Sequence, residues 1–219
     1  MAVCVQYDDI LKRMRRAALH ANRLPDSVSL LAVSKTKTVE EIEPLLAYGH
    51  RLFAENRVQE ARQKWEILKR KYPDAVLHLI GRLQTNKVKE AVALFDVIET
   101  VDGLELAERL AAEMKRQNRA LPCFVQVNTG EEPQKGGVFP EQTVDFVRQC
   151  RHAGLNVVGL MCIPPALEEP SPHFALLKKL CREAGAPLSS MGMSADFEIA
   201  VEQGADFVRV GTALFGARA

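Results

Sequence analysis

The sequence predicts an α/β protein, a single (β/α)8 barrel of the TIM type with an extra helix at its amino terminus. Three observations lead there. Short apolar runs alternate about eight times with amphipathic helical stretches, a pattern that calls for parallel strand pairing. No Gly-x-Gly-x-x-Gly turn follows the first strand, where a doubly wound dinucleotide fold would place one. Polar, small and basic residues recur after many strands rather than at one switch point, and a closed barrel brings all those strand ends to one mouth. The 219 residues suffice, since such barrels can be made with ~200. An open doubly wound sheet is the alternative. No linker or low-complexity segment divides the chain, so one domain over residues 1–219 is expected.

The extra helix is predicted over about residues 8–22, with Ile10, Leu11, Met14, Ala17 and Ala18 on one face and Lys12, Arg13, Arg15 and Arg16 largely off it. The strands follow at 30–33, 51–54, 76–80, 97–101, 123–127, 157–160, 188–191 and 207–210, the seventh having the weakest pattern. Helical segments fill the intervals. In the stretch Leu104 to Met114, for instance, Leu104, Ala107, Leu110, Ala111 and Met114 share a face.

Charge nearly cancels, with 29 basic and 28 acidic side chains, so no whole-chain field favours nucleic acid or an anionic membrane. The first residues lack the pattern of a secretory signal, and no apolar run approaches the ~18 residues of a membrane span. A cytoplasmic protein is expected. Cys4, Cys123, Cys150, Cys162 and Cys181 are odd in number and show no zinc or disulfide spacing, so they read as reduced, mostly core residues.

Strand ends in order present Ser34-Lys35, Glu55-Asn56, Gly81-Arg82, Thr100, Asn128-Thr129, Met161-Cys162, Gly192-Met193-Ser194 and Arg209-Val210-Gly211-Thr212. The amine of Lys35, at the end of a buried strand, is a candidate nucleophile for a carbonyl, although a lysine in such a place is ordinarily a solvated loop residue. The last two segments supply glycines, hydroxyls and a fixed positive charge where barrels commonly cradle phosphate; Ser194 reads equally as a helix cap. An imine-forming amine facing a phosphate cradle suits pyridoxal phosphate or a phosphorylated sugar handled by an aldolase-type lysine. A cation such as Arg209 beside a pyridine nitrogen would disfavour protonation of that nitrogen and weaken the ring as an electron sink, which suits holding the cofactor.

These segments resemble the pyridoxal phosphate homeostasis proteins, a family with an alanine-racemase-like barrel. The resemblance rests on Ala32-Val33-Ser34-Lys35, on Glu55-Asn56-Arg57-Val58-Gln59-Glu60 and on the run from His78 to Lys87. It also rests on Gly159-Leu160-Met161, on Met191-Gly192-Met193-Ser194 with Asp196-Phe197, and on the run from Val208 to Gly216. It implies that Lys35 carries pyridoxal phosphate as an internal aldimine, with Ser194, Gly211 and Thr212 near the phosphate and Arg209 near the ring nitrogen. Asn56 and His78 match positions that line the pocket. It further implies a monomer or weak homodimer that buffers the cofactor and hands it to apo-enzymes without robust turnover. A low-activity amino-acid racemase is the alternative. The related racemases carry a second, β-rich domain with an acid-base tyrosine, and none is expected here after the barrel. The chain departs from the family pattern at Ala54, where glycine is usual, and at Leu77-His78, where an aromatic residue usually precedes the histidine.

Other residues have ordinary readings beside sharper ones. His78 reads equally as a barrel-lining histidine. Arg82, Lys87 and Lys89 read as a solvated basic face more readily than as a second anion site. Lys37 would point to the same side as Lys35 if the chain continued extended, and so could receive the cofactor transiently. Glu131 to Gly137 reads as a long mobile loop, with a lid carrying Lys135 as the sharper idea. Tyr48 and Tyr72 fall at helix ends, where packing explains them.

Overall fold

The computed structural model describes residues 2–216; Met1 and residues 217–219 of the expected 1–219 domain lie outside the described residues. Eight parallel strands close into a barrel in sequence order: β1 (Ser29–Val33), β2 (Leu52–Glu55), β3 (Val76–Leu79), β4 (Val97–Val101), β5 (Pro122–Val127), β6 (Asn156–Cys162), β7 (Leu188–Ser190) and β8 (Phe207–Val210). The first and last strands pair from Ser29 with Phe207 through Ala32 with Val210, and this pairing closes the sheet. The helices between them are α2 (Val39–Ala47), α3 (Val58–Lys71), α4 (Val88–Leu94), α5 (Leu104–Arg116), α6 (Thr143–His152), α7 (Pro170–Glu183) and α8 (Phe197–Glu202), and α9 (Thr212–Phe215) follows β8.

The extra helix α1 (Ala2–His20) begins six residues before its expected start. Val3 and Tyr7 continue the stripe of Ile10, Met14 and Ala17 and pack against the core, which carries the helix back to the chain start. It lies against α8, α9 and α2, with Arg13 paired to Glu198 at 2.7 Å and set over the Phe197 ring. Along the strands, side chains alternate between two cores. Leu30 and Ala32 join the large core under the helices, whereas Leu31 and Val33 form a separate cluster with Ala54 inside the barrel. Val97, Phe124 and Met161 fill the other half of the interior. Ala54, the departure at the second strand, is fully buried in that inner cluster and paired in register with Val33 and His78, so its β-carbon fills space where a glycine would leave it empty.

Candidate cofactor-binding site

The strand carboxyl ends open onto a cleft of about 450 Å³ lined by Val33, Lys35, Asn56, Ile80, Gly81, Ile163, Met193, Ser194, Ala195, Arg209, Gly211 and Thr212. Its size falls within the usual range of small-molecule sites. Six of the seven expected site residues meet there. Lys35 Nζ takes part in no ion pair among the described residues, and Val33, Ile80, Ile163 and Met193 provide apolar walls. Ile163 and Met193 are each 38% exposed, large apolar side chains left open at the mouth.

One side of the cleft is built from backbone donors. Gly211 N–H and Ala213 N–H both donate to Ser194 Oγ, each at 3.3 Å, so two main-chain donors and a hydroxyl converge on one point. Gly192 makes this geometry possible, because its φ of +88° is left-handed and an added Cβ would lie 2.4 Å from the Cβ of Ala200. The Gly192 carbonyl accepts from Arg209 N–H at 2.9 Å, which locks the two strand ends together. Ser194 Oγ thus accepts from the turn after β8 and makes no cap for α8, and Asp196 accepts from Met193 N–H at 2.6 Å within the loop before that helix.

Arg209 is fixed from below. Its guanidinium donates to Ser190 Oγ and to the Cys162 carbonyl, both at 2.8 Å; Ser190 Oγ donates in turn to Glu99 Oε2 at 2.6 Å. Glu99 Oε1 meets His78 Nδ1 at 2.6 Å. Burial alone would push the Glu99 carboxyl up, yet His78, Arg209 and Ser190 together hold it below the usual carboxylate range. His78 is thus placed one layer beneath the cleft and is not among its lining residues, a correction to its expected position: the cleft-facing residue of that strand end is Ile80, two positions on. Asn56 does line the cleft, and its Oδ1 is buried without a hydrogen-bond partner, an acceptor open to a ligand.

Two other expectations change. Lys37 does not follow Lys35 to the same side: Thr36 has φ +65°, the chain turns, and Lys37 Nζ pairs with Glu41 at 3.1 Å. The 131–137 segment is folded back on the end of β5. Gln126 Nε2 donates to the Gly136 carbonyl at 3.0 Å, Asn128 Nδ2 to the Glu132 carbonyl at 2.8 Å, and Lys135 pairs with Glu132 at 2.5 Å, away from the cleft lining. Arg82 is exposed and Lys87 pairs with Glu90, as a solvated face requires, and the five cysteines are free. Glu99 is not among the residues the strand ends point to, and its one sign in the sequence is a carboxylate at the centre of a strand that holds Val97, Ile98 and Val101.

The fold and this site define an alanine-racemase-like barrel with an amine and convergent N–H donors across one mouth. The description "Alanine racemase, N-terminal domain" matches residues 5–219. The chain is 39% identical to a pyridoxal phosphate homeostasis protein of Aquifex aeolicus, covering 100% of this chain and 99% of that one, and 36% identical to one of Homo sapiens, covering 86% and 76%. The structure of PipY of Synechococcus elongatus with PLP bound superposes with a TM-score of 0.78 at 37% identity, covering 93% of this chain and 99% of that one. Alanine racemase of Clostridium difficile shares the fold at a TM-score of 0.70 and 16% identity, this chain spanning 57% of its length. The chain belongs to the pyridoxal phosphate homeostasis protein family.

Proposed function

We propose that this protein binds pyridoxal phosphate in the mouth cleft, holds it covalently through Lys35, and takes part in keeping and delivering the cofactor in the cytoplasm without robust catalysis. The observation that carries the reading is the Lys35 amine, free of any ion pair among the described residues, in one cleft with the convergent N–H groups of Gly211 and Ala213. The cofactor brings an aldehyde that condenses with a lysine amine and a phosphate that needs donors. Ser194, Gly211 and Thr212 would take the phosphate, the apolar walls the ring faces, and Arg209 the ring edge. Asn56 Oδ1 would accept a hydrogen bond from a polar group of the ligand. His78 would act through Glu99 on the placement of Arg209.

The non-catalytic part rests on what faces the cleft. Among the described residues its lining offers Lys35 as an amine and no tyrosine, histidine or carboxylate to move a substrate proton from the opposite side. Among the described residues no helix is long and apolar enough to cross a membrane. Delivery would require apo-enzyme acceptors and is compatible with a monomer or weak homodimer. Purified protein loaded with pyridoxal phosphate should absorb visible light and leave the α-proton of alanine unexchanged in deuterated buffer. Exchange at enzyme-like rates would instead establish the low-activity racemase.

A further inference from the structure

Lys64 stands on the buried stripe of α3, between Ala61 and Leu68 and beside Trp65, where an ammonium ion is costly unless paired. Its Nζ reaches Glu55 Oε1 at 2.7 Å, Glu60 Oε1 at 2.8 Å and the Ser34 carbonyl at 2.9 Å, which occupies all three of its donors. The acceptors are themselves tied to the residues on either side of Lys35. Ser34 Oγ donates to Glu55 Oε1 at 2.7 Å, and Thr36 N–H donates to Glu60 Oε1 at 2.5 Å. Glu55 and Glu60 are the two ends of the Glu55-to-Glu60 motif, which the cofactor cleft uses only at Asn56.

The segment held in this way is strained. Lys37 N–H closes a turn onto the Ser34 carbonyl at 3.1 Å, and its third residue, Thr36, is β-branched at φ +65°. A β-branched residue in that region is strained and persists where its surroundings over-determine it. As a device for stability alone the buried lysine is a poor choice, because apolar replacements of buried ion pairs are often neutral or stabilising.

We propose that Lys64, with Glu55 and Glu60, is a positioning clamp for Lys35: it holds the Ser34–Lys37 turn in its left-handed form so that the Lys35 amine faces the cleft. Lys64 does not line the cleft, so it acts through the turn. The inference rests on the reading of Lys35 as the cofactor's anchor, and its test keeps the two apart by measuring the cofactor-free protein first. The Lys64→Met, Lys64→Arg and Glu60→Gln variants are labelled with trinitrobenzenesulfonate, and labelling of Lys35 is read by peptide mass spectrometry against the exposed Lys89. Retention of pyridoxal phosphate and melting temperature are then measured on the same samples.

Lys64→Met, which leaves the buried Glu55 carboxylate without its cation, is expected to melt below the wild-type temperature, to shift Lys35 labelling at least about threefold and to weaken cofactor retention about tenfold, with Lys64→Arg restoring most of all three. Glu60→Gln, a change at a partly exposed side chain, should move Lys35 labelling in the same direction, which keeps the test valid if Lys64→Met fails to fold. Lys35 labelling within twofold of wild type in both Lys64→Met and Glu60→Gln would overturn the clamp. A wild-type protein that takes up no pyridoxal phosphate would overturn the anchor reading and leave the labelling result standing.

Discussion

The floor and the mouth of the barrel are made of the same kinds of residue and treat them in opposite ways. At the floor, where strands begin, polar side chains satisfy one another. Asp206 accepts from Lys178 Nζ, Ser189 N–H and Ser189 Oγ at 2.7–2.9 Å, and Asp96 accepts from Leu77 N–H at 2.7 Å and from Lys69 at 2.5 Å. His50 bridges the Leu52 carbonyl at 2.7 Å and the Tyr7 hydroxyl at 3.2 Å. At the mouth, Lys35 has no ion-pair partner among the described residues, and Asn56 Oδ1 and Thr129 Oγ1 are buried without hydrogen bonds. The floor uses its polar groups to hold the fold, and the mouth leaves some of its polar groups without a partner in the protein, as the proposed site requires.

The strongest way to break the comparison is at the floor. Asp206→Ala strands Lys178 and the Ser189 amide and should cost about 3 kcal/mol in urea denaturation while leaving cofactor affinity of the folded protein unchanged. A matching loss of affinity would erase the distinction. His50 gives a floor effect that pH reads out. Burial depresses it to about 4, so the unfolded chain, with an ordinary histidine near 6.5, takes up the proton first as pH falls. Its contribution to stability is present above about pH 6.5 and is lost toward pH 4. Between pH 7 and 4.5 this amounts to about 2 kcal/mol, and His50→Gln should flatten that part of the stability–pH curve by the same amount.

At the mouth the signs reverse. Ser194→Ala should lower cofactor affinity about tenfold, or about 1.4 kcal/mol by equilibrium dialysis, with global stability changed by less than about 0.5 kcal/mol. A stability loss without an affinity loss would place Ser194 with the floor. The smallest effect is expected at Thr36, where glycine relieves the left-handed strain. Thr36→Gly should raise or hold stability, by about 1 kcal/mol at most in denaturant titration, and should make the turn less dependent on Lys64.

The floor-to-mouth axis was legible in the sequence because strand ends are ordered by chain position. The alternation located all eight strands, two of them with the observed bounds, and a list of strand ends gave eight residues that line the cleft. What was not legible depends on register and local backbone. Lys37 was expected beside Lys35 on the assumption of extended chain, and one left-handed residue at Thr36 sends it to Glu41. Glu99 and Ser190 come from different strands, 91 residues apart in the chain, and no local pattern joins them beneath Arg209. His78 carried the right strand and face but the wrong layer. Lys64 did leave a sign, a cation on an apolar helical stripe, whose meaning required the turn beside it.

The central claim is that Lys35 is the covalent anchor of pyridoxal phosphate. Incubation of the purified chain with the cofactor, borohydride reduction and peptide mass spectrometry test it directly. A pyridoxyl adduct is expected on the peptide containing Lys35 and is expected to be absent from Lys35→Ala. An adduct confined to another lysine, or none at all in the wild-type protein, would contradict it.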